Sequence, residues 1–275
     1  MEKIKRFMFI GAHPDDPESC AGTVAKLVKA GHVVQFLSAT NGNAGHYEIF
    51  GAKLTKIRYK EAQEAKKRLG IDSYILLDIN DAYLTADINN REKMIKAIRE
   101  FGPDYIITHR NNDYHPDHRA TAELVCDCSY LVMVPNFLPL TPPPKVMPVI
   151  FYKYDSFKRP YSFTPDIIVK TDDVMDFVLD AWDAHESQVY EWLPWISGDL
   201  ENVPSNPQKR KDYLAEKWFP RWKKTADSYR DLLIETYGKE NGEKVKYAEA
   251  YEACEFGGVH DIEVERKIFC YDTGE

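Results

Sequence analysis

Short apolar runs alternate with longer amphipathic stretches through the first half of the chain. Phe7, Met8, Phe9 and Ile10 form an uninterrupted apolar run that Gly11 and Pro14 bring to a stop, the pattern of a buried strand ending in a tight turn. A helical repeat follows over 23–30, with Val24, Leu27 and Val28 as its apolar positions. The β-branched and aromatic run 33–38 predicts a second strand, and the polar, glycine-containing stretch 39–45 a loop. A Lys-, Glu- and Ala-rich helix is predicted over 54–69, closed by Gly70. A third strand at 74–77, a helix over 89–101 stopped by Gly102 and Pro103, a fourth strand at 105–108 and a helix over 118–131 continue the alternation. Strands and helices of these lengths in strict succession imply right-handed crossovers and an α/β fold with a doubly wound, mostly parallel sheet.

The second half is less regular. Residues 135–148 are proline-rich and read as a semi-rigid connector, after which 149–154 and 167–169 resume as strands. A helix is predicted over 172–185. All five tryptophans fall between Trp182 and Trp222, in a proline-broken stretch whose layout the pattern does not resolve. Residues 245–255 fit helix or strand, and 259–269 alternate weakly, as an edge strand would. Glu249 and Glu252 read as surface charges. We expect one Rossmann-like domain over 1–275, with a core at about 5–188 and an aromatic-rich C-terminal appendage at about 189–275.

Composition narrows the class. The 275 residues are 44% hydrophobic, enough for a sizeable core, and the net charge of −8 argues against a nucleic-acid or acidic-membrane partner. No apolar run is long enough to span a bilayer, and the N-terminal run is too short for a secretory signal. The five cysteines are odd in number and scattered, which suits a reducing, cytoplasmic setting better than a disulfide frame. The aromatic C-terminal third predicts self-association as a homo-oligomer.

Two polar clusters change the picture from fold to chemistry. The turn after the first strand presents His13, Asp15 and Asp16, and the turn after the fourth presents His115, Asp117 and His118. Pro116 fits the first position of a helix, which places His115 near the N-cap and His118 one turn later on the same face. Ligands bind outside the carboxyl ends of strands in such sheets, so the two clusters can converge on one edge. Imidazole and carboxylate groups gathered there suit a metal and acid–base chemistry. Spacing alone does not say which of Asp15 and Asp16 would bind metal. His109, at a strand end, reads as a hydrogen-bonded structural histidine.

The pair of motifs Ala-His-Pro-Asp-Asp at 12–16 and His-Pro-Asp-His at 115–118 resembles the PIG-L/LmbE family of zinc-dependent N-acetylglucosamine deacetylases. The stretch 40–46, Arg58 with Glu61, Leu77 with Asp78, and His185, Ser187 and Gln188 extend the resemblance in the same order. It implies a Rossmann-like fold and a zinc site (Fe²⁺ being the alternative metal) on His13, Asp16 and His118. It also implies Asp15 as general base and His115 as a cationic group at the oxyanion or leaving amine, tuned by Asp117. Arg58 resembles a family arginine that holds the sugar or an anionic aglycone. Asn43, Asp81 and Tyr114 lie in loops that should reach the same edge as substrate contacts. One departure stands out: the segment from Asp16 to Thr23 is one residue shorter than the family pattern and carries Pro17, which puts the turn into the first helix in question.

The implied activity is removal of acetate from a small N-acetylated sugar or glycoconjugate. Deacylation of another amide on a glycoconjugate or antibiotic, and a non-catalytic sugar- or metal-binding protein, are the competing readings. A dinucleotide-binding oxidoreductase is disfavoured because no G-x-G-x-x-G follows the first strand. Trp192 and Trp195, beside Tyr190, are candidates for a sugar-stacking wall or for ordinary core packing.

Overall fold

The computed structural model describes residues 3–270. Its strands and helices run β1 (Arg6–Gly11), α1 (Ala21–Lys29), β2 (Val33–Ser38), α2 (Gly51–Leu69), β3 (Ser73–Leu76), α3 (Ile88–Phe101), β4 (Tyr105–Thr108), α4 (Pro116–Leu131), β5 (Val149–Lys153), β6 (Ile167–Lys170), α5 (Met175–Asp183), α6 (Leu193–Ser197), α7 (Pro207–Ser228), α8 (Arg230–Tyr237), α9 (Lys239–Lys244), β7 (Ala248–Gly257) and α10 (Ile262–Phe269). The strands form one sheet in the order β3-β2-β1-β4-β5-β7-β6. β1 to β5 pair in parallel, whereas β7 runs antiparallel to both β5 and β6.

The period of two along β1 explains the layering. Phe7 and Phe9 enter one apolar core with Val24, Leu27, Ala62 and Val178, while Met8 and Ile10 enter the other with Met94, Ile98, Leu124 and Val125. Both faces of the strand are thus covered, as a continuous apolar run requires of a parallel sheet. β1 has β2 on one side and β4 on the other. The chain winds outward in opposite directions from these two strands, so a crevice opens between their carboxyl ends.

The C-terminal third departs from expectation in three ways. It is not a separate appendage: β7 is inserted between β5 and β6 and completes the sheet. The tail forms helix α10, not an edge strand. Asp261 accepts from the Val264 amide (3.2 Å) as its N-cap, acids fill its first turn and Arg266 and Lys267 its last, the charge order that a helix dipole favours. Finally, Glu249 and Glu252 are buried. Glu249 caps the start of α1, accepting from the Gly22 and Thr23 amides at 2.9 and 2.8 Å and from Trp222 Nε1 at 2.9 Å. The aromatic surface that motivated a homo-oligomer is largely internal, since Trp182, Trp218 and Trp222 are buried. Among the described residues, no helix is long and apolar enough to cross a membrane.

Candidate active site

Gly11 lets the chain turn sharply out of β1. A Cβ there would meet Asp16 Cβ at 2.5 Å and Pro17 Cδ at 2.7 Å, too close for any larger residue. The turn is then tied down by its own backbone. The Ala12 carbonyl accepts from the Thr40 amide (2.9 Å), Thr40 Oγ1 (2.8 Å) and Ser38 Oγ (3.2 Å). Asp16 folds its carboxylate back, and Oδ2 accepts from the amides of Ala12 (2.9 Å) and His13 (2.8 Å). The Asp16 carbonyl accepts from Lys153 Nζ at 2.7 Å and Ser19 Oγ at 2.6 Å. The shortened segment is accommodated by a tight 3-10 turn over Asp16–Cys20 that leads straight into α1. Glu18 in that turn is fully buried and paired with His185 Nε2 at 2.6 Å.

The second turn is built differently. His115 caps α4 with its ring: Nδ1 accepts from the Asp117 amide at 3.1 Å. That bond requires Nδ1 to be unprotonated, so the neutral ring carries its proton on Nε2. The Asp117 carboxylate does not bond His115. Its Oδ2 accepts from the Ala82 amide (2.6 Å) and faces His13 Nε2 (3.3 Å), while Oδ1 is buried without a partner among the described residues. His118 Nε2 lies 3.4 Å from Asp16 Oδ1, and its Nδ1 lies 3.0 Å from Asp113 Oδ1.

The two turns meet. His13 Nδ1 is 3.4 Å from Asp16 Oδ2, so Asp16 sits between His13 and His118. His109, at the end of β4, joins them: its Nε2 accepts from the Ala12 amide at 3.2 Å and is 3.3 Å from Asp16 Oδ2. Three overlapping sets of donor atoms result, each within 4.8 Å: His13 with His115 and His118, Asp16 with His109 and His118, and His13 with Asp81 and Asp117. His109 is the member that the motif reading left out, and Asp113, at His118 Nδ1, is a neighbour it did not name. Their signal was position: both fall in the loop after β4, where every polar residue is a candidate.

His13, Asp15, Asp16, His115 and His118 line one cleft of about 780 Å³, with Asp81 and Tyr114 also on its wall. Asn43 is not on that wall. It braces the neighbouring loops, accepting from the Asp81 amide at 2.9 Å and donating to Asn80 Oδ1 at 2.9 Å. Arg58, expected as a sugar contact, reaches the cleft but is only 1% exposed and is held by protein acceptors. Its Nη1 donates to Glu61 at 2.8 Å, and its Nη2 donates to the Pro14 carbonyl and lies 3.4 Å from Asp15 Oδ2. Glu61 in turn accepts from the amide (2.6 Å) and Oγ (2.8 Å) of Ser187.

Residues 8–129 match the family described as PIG-L, GlcNAc-PI de-N-acetylase. That stretch resembles a PIG-L domain. Both motif turns fall inside it. The diacetylchitobiose deacetylase of Thermococcus kodakarensis is 29% identical over 212 residues, 70% of this chain and 75% of that protein. Among solved structures, the N,N′-diacetylchitobiose deacetylase of Pyrococcus horikoshii complexed with its inhibitor superposes with a TM-score of 0.70 at 25% identity, over 92% of this chain and 85% of that one. The 4-carboxy-2-hydroxymuconate hydratase of Pseudomonas putida shares the fold at 17% identity (TM-score 0.68, 94% and 99% covered). The PIG-L-type fold by itself therefore does not decide the reaction, and the side chains must.

The charges of the cleft suit a cation. Burial works against a charged His13, but Asp117, Asp16 and Asp81 outweigh it and raise its proton affinity well above the imidazole norm. Burial likewise works against a charged Asp16, yet His118 foremost holds its carboxyl well below the usual range. His109 is pushed down to about 3 by burial, with Lys153 and His118 adding to the effect, so it is a neutral ring. Burial, and then His13 and His118, also lower His115. The expected imidazolium at His115 therefore meets two obstacles, its charged neighbours and the Asp117 amide on Nδ1. Two imidazoles, a carboxylate and an unpartnered Asp117 oxygen are a chemically suitable donor set for a divalent metal.

Of the expected aromatic wall, Trp192 lines the cleft, while Tyr190 is buried with its hydroxyl on Asp183 at 2.6 Å. Trp195 stacks on both Trp192 (5.4 Å between centroids) and Tyr47 (5.3 Å).

Proposed function

We propose that the chain is a metal-dependent hydrolase that removes the acetyl group from an N-acetylglucosaminyl substrate. The observation that carries this reading is the convergence of His13, Asp15, Asp16, His115 and His118 on one cleft at the carboxyl ends of β1 and β4. In it, His13, Asp16 and His118 would hold zinc, with Fe²⁺ as the alternative metal. When bound, such a metal lowers the pKa of a coordinated water to roughly 7 and polarises a carbonyl.

The remaining work falls to this chain's own groups. Asp15, braced by Arg58, takes the proton from the attacking water and returns it to the amine nitrogen as the C–N bond breaks and acetate leaves. His115, its Nδ1 committed to the Asp117 amide, presents Nε2–H to the oxyanion that develops on the acetyl oxygen. That is a neutral donor's role instead of a cation's. Asp117 and Asp81 hold His13 in place, and a hydrogen-bonded carboxylate of this kind orients a ligand imidazole. The five cysteines are free thiols, which fits a reducing, cytoplasmic setting.

Acetate release from diacetylchitobiose and from simple N-acetylglucosaminides by the metal-loaded protein tests the reading, with metal content measured alongside. Stoichiometric zinc and acetate release are expected in the wild type, and loss of both in a His13→Ala, His118→Ala double variant. Zinc retained in that variant would place the metal elsewhere, and a loaded enzyme inert toward all these amides would overturn the activity.

A further inference from the structure

The cleft does not end at the catalytic histidines. Its far wall is α7, which presents Arg221 and, one turn later, Lys224. Arg221 is unlike Arg58 and Arg110, which each face a carboxylate at 2.8 and 2.6 Å. Its guanidinium lies over the Trp218 ring, 3.8 Å from the centroid, and among the described residues no carboxylate or carbonyl accepts from it. Lys224 also lines the cleft, is exposed, and has no such partner among the described residues.

The acids on the same wall are already committed. Asp155 gives both oxygens to Arg110, at 2.6 and 2.7 Å. Glu249 is taken by the start of α1, Trp222 and Tyr251. Arg221 is exposed, and the Tyr114 ring lines the same cleft. The Tyr114 ring is 5.5 Å from that of His118, which ties this cationic wall to the proposed metal site. In a chain of net charge −8, two unpaired cations facing one concave surface call for an anion from outside. Stacking on Trp218 fixes the plane of the guanidinium and leaves its edge N–H groups free for a planar or tetrahedral oxyanion.

We propose that Arg221 and Lys224 form an anion subsite that receives a carboxylate or phosphate carried by the substrate beyond its N-acetylated sugar. This rests on the deacetylase reading and adds that the physiological substrate is charged, unlike the neutral disaccharide for which the two diacetylchitobiose deacetylases are named.

The test compares three β-N-acetylglucosaminides differing only at the aglycone tip: 2-hydroxyethyl, 2-carboxyethyl and 2-phosphoethyl. The metal-loaded wild type should show a kcat/KM about tenfold or more higher for at least one anionic glycoside than for the neutral one, and which one identifies the oxyanion. Added salt should shrink the preference. Arg221→Gln should remove most of it, Lys224→Gln part, and Arg221→Glu should reverse it. An equal kcat/KM for all three glycosides, or a preference unchanged in Arg221→Gln, overturns the subsite while leaving deacetylation standing. If none is cleaved, the deacetylase reading fails, and calorimetric binding of the same glycosides still decides the subsite: tighter binding of an anionic one, lost in Arg221→Gln, supports it, and equal binding overturns it. Circular dichroism of each variant checks that α7 remains folded.

Discussion

The two turns that build the cleft are made on opposite principles. In the turn after β1 the protein satisfies nearly everything itself: the Ala12 carbonyl, the Asp16 carboxylate and the Asp16 carbonyl each have two or more donors from the chain. In and beside the turn after β4 the accounting is incomplete. Thr108 Oγ1, Asp117 Oδ1 and Thr121 Oγ1 are buried without partners among the described residues. Leaving such groups unmade is costly, and nearby His13 is driven toward a proton by surrounding carboxylates. The first turn is therefore a prebuilt support, and the second is a half-site to be completed by what binds. A base belongs on the support, where it keeps its position whether or not the cleft is filled.

The comparison fails most sharply at Asp15. Asp15→Asn keeps the size of the side chain and leaves the bonds of Asp16 and Ala12 intact. It should therefore retain metal and lose some stability with the Arg58 contact, while kcat falls by roughly 10²–10⁴. Turnover that survives with metal bound would move the base to the other turn.

Arg58 separates a brace from a substrate contact. Arg58→Gln removes the charge from a buried group facing Asp15 and Glu61, and breaking a buried pair costs about 3–5 kcal/mol. A brace predicts that loss of stability together with a fall in kcat larger than any rise in KM. A sugar contact predicts a raised KM and an unchanged melting temperature. Thermal unfolding and steady-state kinetics on one preparation distinguish them.

Arg58 also marks where reading the sequence stops. The strands β1, β2 and β4 were legible because each is a mainly apolar run closed by a turn, interrupted in β2 by Gln35, and the meeting of the two motifs in one cleft followed from their places at two strand ends. What a long side chain does there was not legible. Arg58 looked like a helix charge free to meet a sugar, but α2 starts at Gly51, earlier than the predicted 54, and carries Arg58 inward beneath the Pro14 carbonyl. Glu249 failed for a related reason: its partners, Gly22 and Thr23, are 227 and 226 residues away, and no local pattern announces them. The tail 259–269 failed at short range, because a weak alternation outweighed the Asp261 cap and the charge order that make α10.

A smaller effect tests the rigidity of the support directly. Gly11→Ala drives a methyl into Asp16 and Pro17, and overpacking of this kind costs about 1–3 kcal/mol. On the other side, Asn112→Ala removes an exposed bond to the Arg159 carbonyl (2.9 Å) and should stay within about 0.5 kcal/mol. Denaturant unfolding of the pair measures the asymmetry, and equal losses would remove the distinction between the turns.

The smallest effect lies outside both turns and supplies the control for their pH behaviour. His260 follows β7, its Nδ1 3.2 Å from Glu265 Oε2 on α10 and its Nε2 3.0 Å from the Cys254 carbonyl. Burial opposes its charge, but Glu265 outweighs burial and raises its pKa above the ordinary value of 6.5. A raised pKa means that the folded state holds the proton more tightly than the unfolded one. The resulting stability is fully present below about pH 6.5 and is lost as pH rises through the higher folded value. The difference in melting temperature between wild type and His260→Gln should therefore be largest at mildly acidic pH and shrink on going alkaline. Because the pair is partly open to solvent, it should be small and reduced by salt. A difference that grew with pH would mean that His260 is held as a neutral ring. The same titration with metal bound and removed then isolates the cleft: any change in the pH dependence on removing metal comes from the site that the two turns share, since the His260 contribution cancels.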